Sequence, residues 1–276
     1  MSANEPDLRF PITRCLNANG RAQFADLIDA ISQRETLVVR GDVDGQGVAI
    51  IAGHLAELFF HRADILERFL SKPKHFELFE SHEAYAAAGG AGGGCYQPSR
   101  VCIQLMRARL SEGFGGEWPG VAPVLHELGH MLDHFNPHTG GARMRCDGLL
   151  PGLHPRDGAV YSPTARAAFL AGKRIELERY SRFVTGEAGP DDTPPVGHPY
   201  VFQNDGEFCA GYLEMFLRNP NAMAQMNPAL HSGYVELLRW DPRQAWPRDF
   251  EFYIAGNRAF YASGQRPPAS RCRAPR

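Results

Sequence analysis

His126-Glu127-Leu128-Gly129-His130 restricts this chain more than any other feature, because the pattern has chemical meaning only on a helix. Residues four apart lie one above the other on the same helix face, so the two imidazoles stand side by side. Both can then reach one zinc ion at about 2.0–2.1 Å. Glu127 projects beside them, where it can act as general base on a metal-activated water. The flanking residues supply the helix. Val121, Val124, Leu125, Leu128, Met131, Leu132 and Phe135 follow the helical period over about 122–135, Pro123 suits the first turn, and Asn136-Pro137 stops it. The histidines fall off the apolar stripe, as ligands must.

A catalytic zinc usually has three protein ligands and one water, so a third ligand is required. The pattern with Gly three residues and His six residues past the second histidine is excluded, since Asp133 and Asn136 stand there. His134 lies a turn beyond His130 and would need the metal in two places at once. With His138 it reads as a solvated helix-end histidine. A second helix is the better source. Glu207 and Glu214 stand in the run from Asn204 to Phe216, seven apart and so two turns apart on one face. Only one of them can join His126 and His130. Asn204 and Glu207 also fit a capping box, and Glu214 fits a solvated or salt-bridged position. The residues alone leave this choice open.

The rest of the chain narrows the class. Lys+Arg 29 against Asp+Glu 31 gives a formal net charge of -2 and no basic field, which excludes a dedicated nucleic-acid binder. The longest apolar stretch, Val48 to Phe60, is interrupted by His54 and Glu57 and is too short to span a bilayer, so no membrane partner is expected. The N-terminus has no apolar signal region. Cys15, Cys95, Cys102, Cys146, Cys209 and Cys272 are scattered with no CxxC pair, and read as reduced thiols of a cytoplasmic protein. Cys209 reads as a small core residue, because no base stands beside it in sequence.

The chain is long enough to bury a core without a staple. Residues 1–20 are expected as an extended arm, 21–264 as one catalytic domain, and 265–276 as a disordered basic tail. β-like runs occur at Thr36–Arg40, His75–Phe79 and Ser99–Met106. The last is expected to border the cleft and to hold an extended peptide along an exposed edge. Helical patterns cover Gln46–Leu70 (one helix or a pair, stopped by Pro73), Ser162 to about Thr185, Asp205–Asn219 and Pro228–Trp240. Gly186–Pro199 reads as a loop. Gly89–Gly94 lacks the Lys-Ser/Thr of a phosphate loop and reads as a flexible break, with an active-site flap the less favoured use. The expected class is α+β, mostly helical with a small sheet beside the metal-binding helix.

Four blocks in order carry a resemblance: His126 to Asp133, then Asp147-Gly-Leu-Leu-Pro-Gly-Leu153, then Tyr200 with Glu207-Phe-Cys-Ala210 seven residues on, then Phe216-Leu-Arg-Asn-Pro220 with Asn227-Pro-Ala-Leu230 and Arg239-Trp-Asp-Pro242. From Val48 to Pro242 the chain resembles the Mlc titration factor A family of zinc peptidases, and more distantly the catalytic domain of anthrax lethal factor. The resemblance implies a zincin-like fold, one Zn2+ per chain held by His126, His130 and Glu207, and Tyr200 facing the metal as donor to a developing oxyanion. It also implies that Asp133 orients a ligand imidazole. The sequence departs from that family in a long segment between His130 and Glu207, in Cys209 where an aromatic is frequent, and in the Gly89–Gly94 run.

The expected function is a zinc metallopeptidase hydrolysing peptide bonds, with Glu127 as general base, Tyr200 as the second catalytic residue, and a peptide or protein substrate. The alternative is a regulatory protein that uses the same scaffold to capture a partner such as a transcriptional repressor. A pure binder has no use for Glu127, which favours the enzyme. A zinc hydrolase acting on a non-peptide amide is a third option.

Overall fold

The computed structural model describes residues 10–113, 122–143, 145–150, 153, 162–244, 249 and 251–275. Two N-terminal helices, α1 (Ile12–Cys15) and α2 (Ala18–Ser32), lead into strand β1 (Leu37–Arg40). The apolar run that follows splits at His61-Arg62 into α3 (Gln46–Phe59) and α4 (Ala63–Phe69). Next come β2 (Lys74–Phe79), α5 (His82–Ala87), and the hairpin of β3 (Gly94–Gln97) with β4 (Cys102–Met106). The remainder is helical: α6 (Pro123–Asp133), α7 (Pro163–Thr185), α8 (Asp205–Arg218), α9 (Pro220–Met226), α10 (Pro228–Leu238) and α11 (Glu251–Ala262). The class is α+β, as expected. No helix among the described residues is long and apolar enough to cross a membrane.

The sheet runs β1-β2-β4-β3. Pairs β1–β2 and β2–β4 are parallel, and β3–β4 is antiparallel. This overturns the expectation for Ser99–Met106. The strand begins only at Cys102, because Val101 turns the chain in a left-handed conformation at φ 49. Strand β4 is not an edge. It lies between β2 and β3, with Cys102, Ile103, Gln104 and Leu105 all buried. The edge beside the metal-motif helix is β3, whose sequence Gly-Cys-Tyr-Gln carries no apolar alternation and gave no strand signal.

The described residues near both ends, 10–20 and 265–275, are also packed against the fold. Phe10 and Ile12 are buried, and the Phe10 ring meets His54 of α3 edge-on at 5.2 Å, so residues 10–20 are packed rather than an extended arm. The stretch 265–275 is laid against α7 and α8. Tyr180 Oη donates to Pro268 O, Arg271 N donates to Phe202 O, and Arg273 joins Lys173 on the Asp205 carboxylate. Residues 1–9 and Arg276 lie outside the described residues.

Helices α6 and α8 cross at backbone distance. A Cβ placed on Gly129 would sit 2.6 Å from Ala210 Cα, so glycine is required at the third position between the two histidines. Further along, α8 is tied to α3 by fully buried Arg218, whose guanidinium donates to both Glu57 oxygens at 3.1 and 2.8 Å. Gly129→Ala gains helix propensity but forces the two backbones apart. It should destabilise the fold by about 1–3 kcal/mol, the usual cost of overpacking, and lower metal affinity at the same time. Thermal unfolding with and without added metal checks this, and an unchanged midpoint would contradict the close crossing.

Candidate metal centre

Helix α6 starts at Pro123, and Ala122 before it has no side chain able to cap. The cap comes from the neighbouring helix. Glu214 of α8 accepts from the Ala122 main-chain N–H at 2.7 Å, placing a carboxylate at the positive end of α6. Its other oxygen lies 3.4 Å from His126 Nδ1. A proton held at Nδ1 by that carboxylate leaves the Nε2 lone pair for a cation.

Glu207 approaches from the first turn of α8. The Asn204 side chain accepts from Glu207 N at 2.9 Å, so the asparagine half of the capping box is present. The glutamate half is not, because the Glu207 side chain turns into the site. Its Oε2 lies 3.1 Å from His126 Nε2 and 3.4 Å from His130 Nε2. Ligand atoms of His126, His130 and Glu207 fall within 4.8 Å of one another, and the three could hold a metal ion. Two imidazole nitrogens and one carboxylate oxygen on rigid helices suit a divalent transition metal. The structure therefore brings Glu207 to the histidines and keeps Glu214 behind His126.

Two carboxylates of the site are tuned in opposite directions. Burial raises Glu207, but bonds and charge from His126 and His130 outweigh it and hold its carboxyl far below the ordinary range. Glu127, only 6% exposed, is pushed up by burial, and the two histidines with the Tyr96 main-chain N–H only partly offset this. Burial disfavours charge on His126 too, yet Glu207, Glu214 and Glu127 raise it to about 10. A cation must displace that proton.

Tyr200 stands in a 3-10 turn, Pro199–Phe202, and its hydroxyl donates to Glu207 Oε1 at 3.2 Å. Burial and the Glu207 charge push the phenol up to about 12, so it stays protonated. Asp133 takes another course from the one the resemblance implies. Its carboxylate accepts from Cys146 Sγ rather than from an imidazole, and the carboxylate beside the Nδ1 of His126 is Glu214. His134 sits further along the same cavity with Nδ1 near Arg143 O at 3.2 Å, and His138 is exposed. Cys209 is fully buried, as expected of a core residue.

His126, Glu127, His130, Tyr200, Glu207 and Glu214 line one cavity of about 590 Å³. Its wall includes Gly92, Gly93 and Gly94, so the end of the glycine run is part of the site and not a plain break. A Cβ on Gly94 would lie 2.6 Å from Glu127 Cγ, so edge strand β3 passes directly over the acid. The sequence had one signal for the role of Glu214, its seven-residue spacing from Glu207. It had none for β3.

Replacing His126, His130 or Glu207 with Ala should abolish stoichiometric metal binding. Glu214→Gln keeps the cap on Ala122 but removes the charge behind His126. It should retain one metal and weaken affinity about 10–100-fold. Because a proton is displaced, affinity should rise with pH while His126 remains protonated. Chelator competition across a pH series checks all three statements, and a Glu214 variant that loses metal outright while Glu207→Ala retains it would reverse the ligand assignment. No family model matches the chain, and no curated protein sequence matches it.

Proposed function

We propose that the chain is a zinc-dependent peptidase of zincin-like fold, related in mechanism to the Mlc titration factor A family that its motifs resemble. One observation carries the reading: a proton-accepting carboxylate and a proton-donating phenol, Glu127 and Tyr200, line the same open cavity as the His126, His130 and Glu207 group. A zinc ion held there would supply a Lewis acid that polarises a carbonyl and makes a water acidic enough to attack near neutral pH.

The residues of the chain do the rest. Glu127 takes the proton of the attacking water, a role helped by its raised pKa, and passes it to the leaving amine. Tyr200 Oη donates to the oxygen that becomes negative as the carbonyl is attacked. Glu207 holds that hydroxyl within 3.2 Å, on the metal-facing side of the cavity. The substrate backbone lies along β3, which pairs with β4 on one side only among the described residues. Free thiols throughout fit a reducing compartment, and a cytoplasmic site of action is part of this proposal. A protein-capturing scaffold would need neither a buried Glu127 nor a phenol at the ligand carboxylate.

Glu127→Gln should keep full metal content and lose about 10²–10⁴-fold in turnover of a cleavable peptide, since an amide cannot accept the proton. Wild-type turnover in that variant would end the general-base assignment. Tyr200→Phe should lower the turnover number about 10²–10³-fold with metal content unchanged, because the missing bond forms chiefly in the transition state. Steady-state kinetics on the same peptide decides this, and an unchanged turnover number would reduce Tyr200 to a packing residue.

A further inference from the structure

We infer that Arg109 recognises a carboxylate of the substrate, so that the peptides taken by this cavity carry either a free C-terminal carboxylate or an Asp/Glu side chain near the bond cleaved. The inference deepens the peptidase reading and rests on it.

Arg109 ends the 3-10 turn Arg107–Arg109 that follows β4, and its side chain lines the same cavity as His126, Glu207 and Tyr200. Its direction is fixed by Glu112. Nε and Nη2 donate to the two Glu112 oxygens at 2.9 and 2.8 Å, a fork-on-fork pair that holds the guanidinium plane. Glu112 is itself buried, at 7% exposure, while the Arg109 side chain is 32% exposed. An arginine left to itself at that exposure would extend into water, but this one is tethered at the cavity wall.

The tether uses one edge of the guanidinium. A guanidinium carries five N–H donors in a planar fork, so the Nη1–Nη2 edge is left for a second carboxylate. Nη1 makes no hydrogen bond or ion pair among the described residues. It faces Gly93, where a Cβ would lie 2.0 Å away, so the glycine run lets the main chain pass over the charge without a side chain covering it. The carboxylates that line the cavity are Glu127, Glu207 and Glu214. Among the described lining residues Arg109 is the sole arginine or lysine. An anionic group entering this cavity therefore meets one oriented guanidinium edge at Arg109, the one fixed side-chain cation in the described lining. A substrate carboxylate bound there is placed by a charge-assisted bidentate contact, which both attracts it and sets its register along β3.

Two paired peptide sets test this. In the first, one sequence is compared as free C-terminal acid and as C-terminal amide. In the second, an amidated frame is compared with internal Asp or Glu against Asn or Gln. Each pair is measured for kcat/KM with zinc-loaded wild type, with Arg109→Gln/Glu112→Gln (which removes the ion pair as a unit and strands no buried charge) and with Arg109→Lys. The same pairs are measured for affinity in a Glu127→Gln background, where peptides bind without turnover. Wild type should favour the carboxylate member of at least one set by about 10–100-fold, the size of a charge-assisted contact, and the set that responds identifies the source. The double variant should bring that ratio close to one. Arg109→Lys should narrow it, since an ammonium seated on Glu112 presents no second fork, and this variant decides the matter if the double variant does not fold. Equal handling of acid and neutral peptides by wild type, or a preference that survives both substitutions, overturns the assignment. If wild type hydrolyses no peptide, the peptidase reading fails. The binding ratios then judge Arg109 alone: an Arg109-dependent preference for carboxylate supports it, and equal affinities refute it.

Discussion

The contact between Gly129 of α6 and Ala210 of α8 is the constraint on which the rest of the site depends. A metal with three protein ligands needs donor atoms from two helices within a few ångströms, and helices bearing ordinary side chains pack with axes about 8–10 Å apart. Glycine in the middle of the motif removes the side chain at the crossing. His126 and His130 on α6 then meet Glu207 on α8, and Glu214 two turns along reaches the start of α6. One carboxylate faces the metal position and the other serves as helix cap and imidazole anchor. Buried Arg218, paired to Glu57, fixes the far end of α8 to α3. A shift of α8 along its axis would thus break the ligand set, the cap and a buried ion pair together.

Glu207 and Glu127 show how position tunes identical functional groups in opposite directions. Glu207 is a charged acceptor surrounded by imidazoles and a phenol hydroxyl, and is held ionised. Glu127, one residue along from the first histidine, points under β3 into a drier wall and is biased toward taking a proton. In the peptidase reading proposed above, that difference divides the acid–base labour between them. The same logic keeps Tyr200 a donor, because the negative charge of Glu207 opposes loss of the phenol proton.

Much of this was legible in the sequence because it rests on local periodicity. The apolar stripe around the motif gave α6 to within about two residues, Ser162-Pro163 gave the start of α7, and Asn204 gave the start of α8. The pairing of β3 with β4 was not legible, because a strand of Gly-Cys-Tyr-Gln is specified by its neighbour and by the helix it covers, not by its own pattern. Reading Ser99–Met106 as an edge failed for the related reason that burial on both sides is a tertiary property. The tail misled through composition. It was expected to be disordered, yet Arg273, still largely exposed, is held by Asp205, a residue 68 positions earlier that no local rule connects to it. Asp133 misled through spacing, since its carboxylate turns to Cys146.

In the proposed reading α6 and α8 together hold one zinc ion through His126, His130 and Glu207. Its most direct test is a crystal structure of the zinc-loaded protein with anomalous data collected on both sides of the zinc absorption edge. The expected result is a single anomalous peak at the helix crossing, about 2.0–2.2 Å from His126 Nε2, His130 Nε2 and a Glu207 oxygen, with Glu214 still bound to Ala122 N and His126 Nδ1. A peak bound by Glu214 with Glu207 turned to solvent, or no peak at the crossing in protein saturated with zinc, would contradict it.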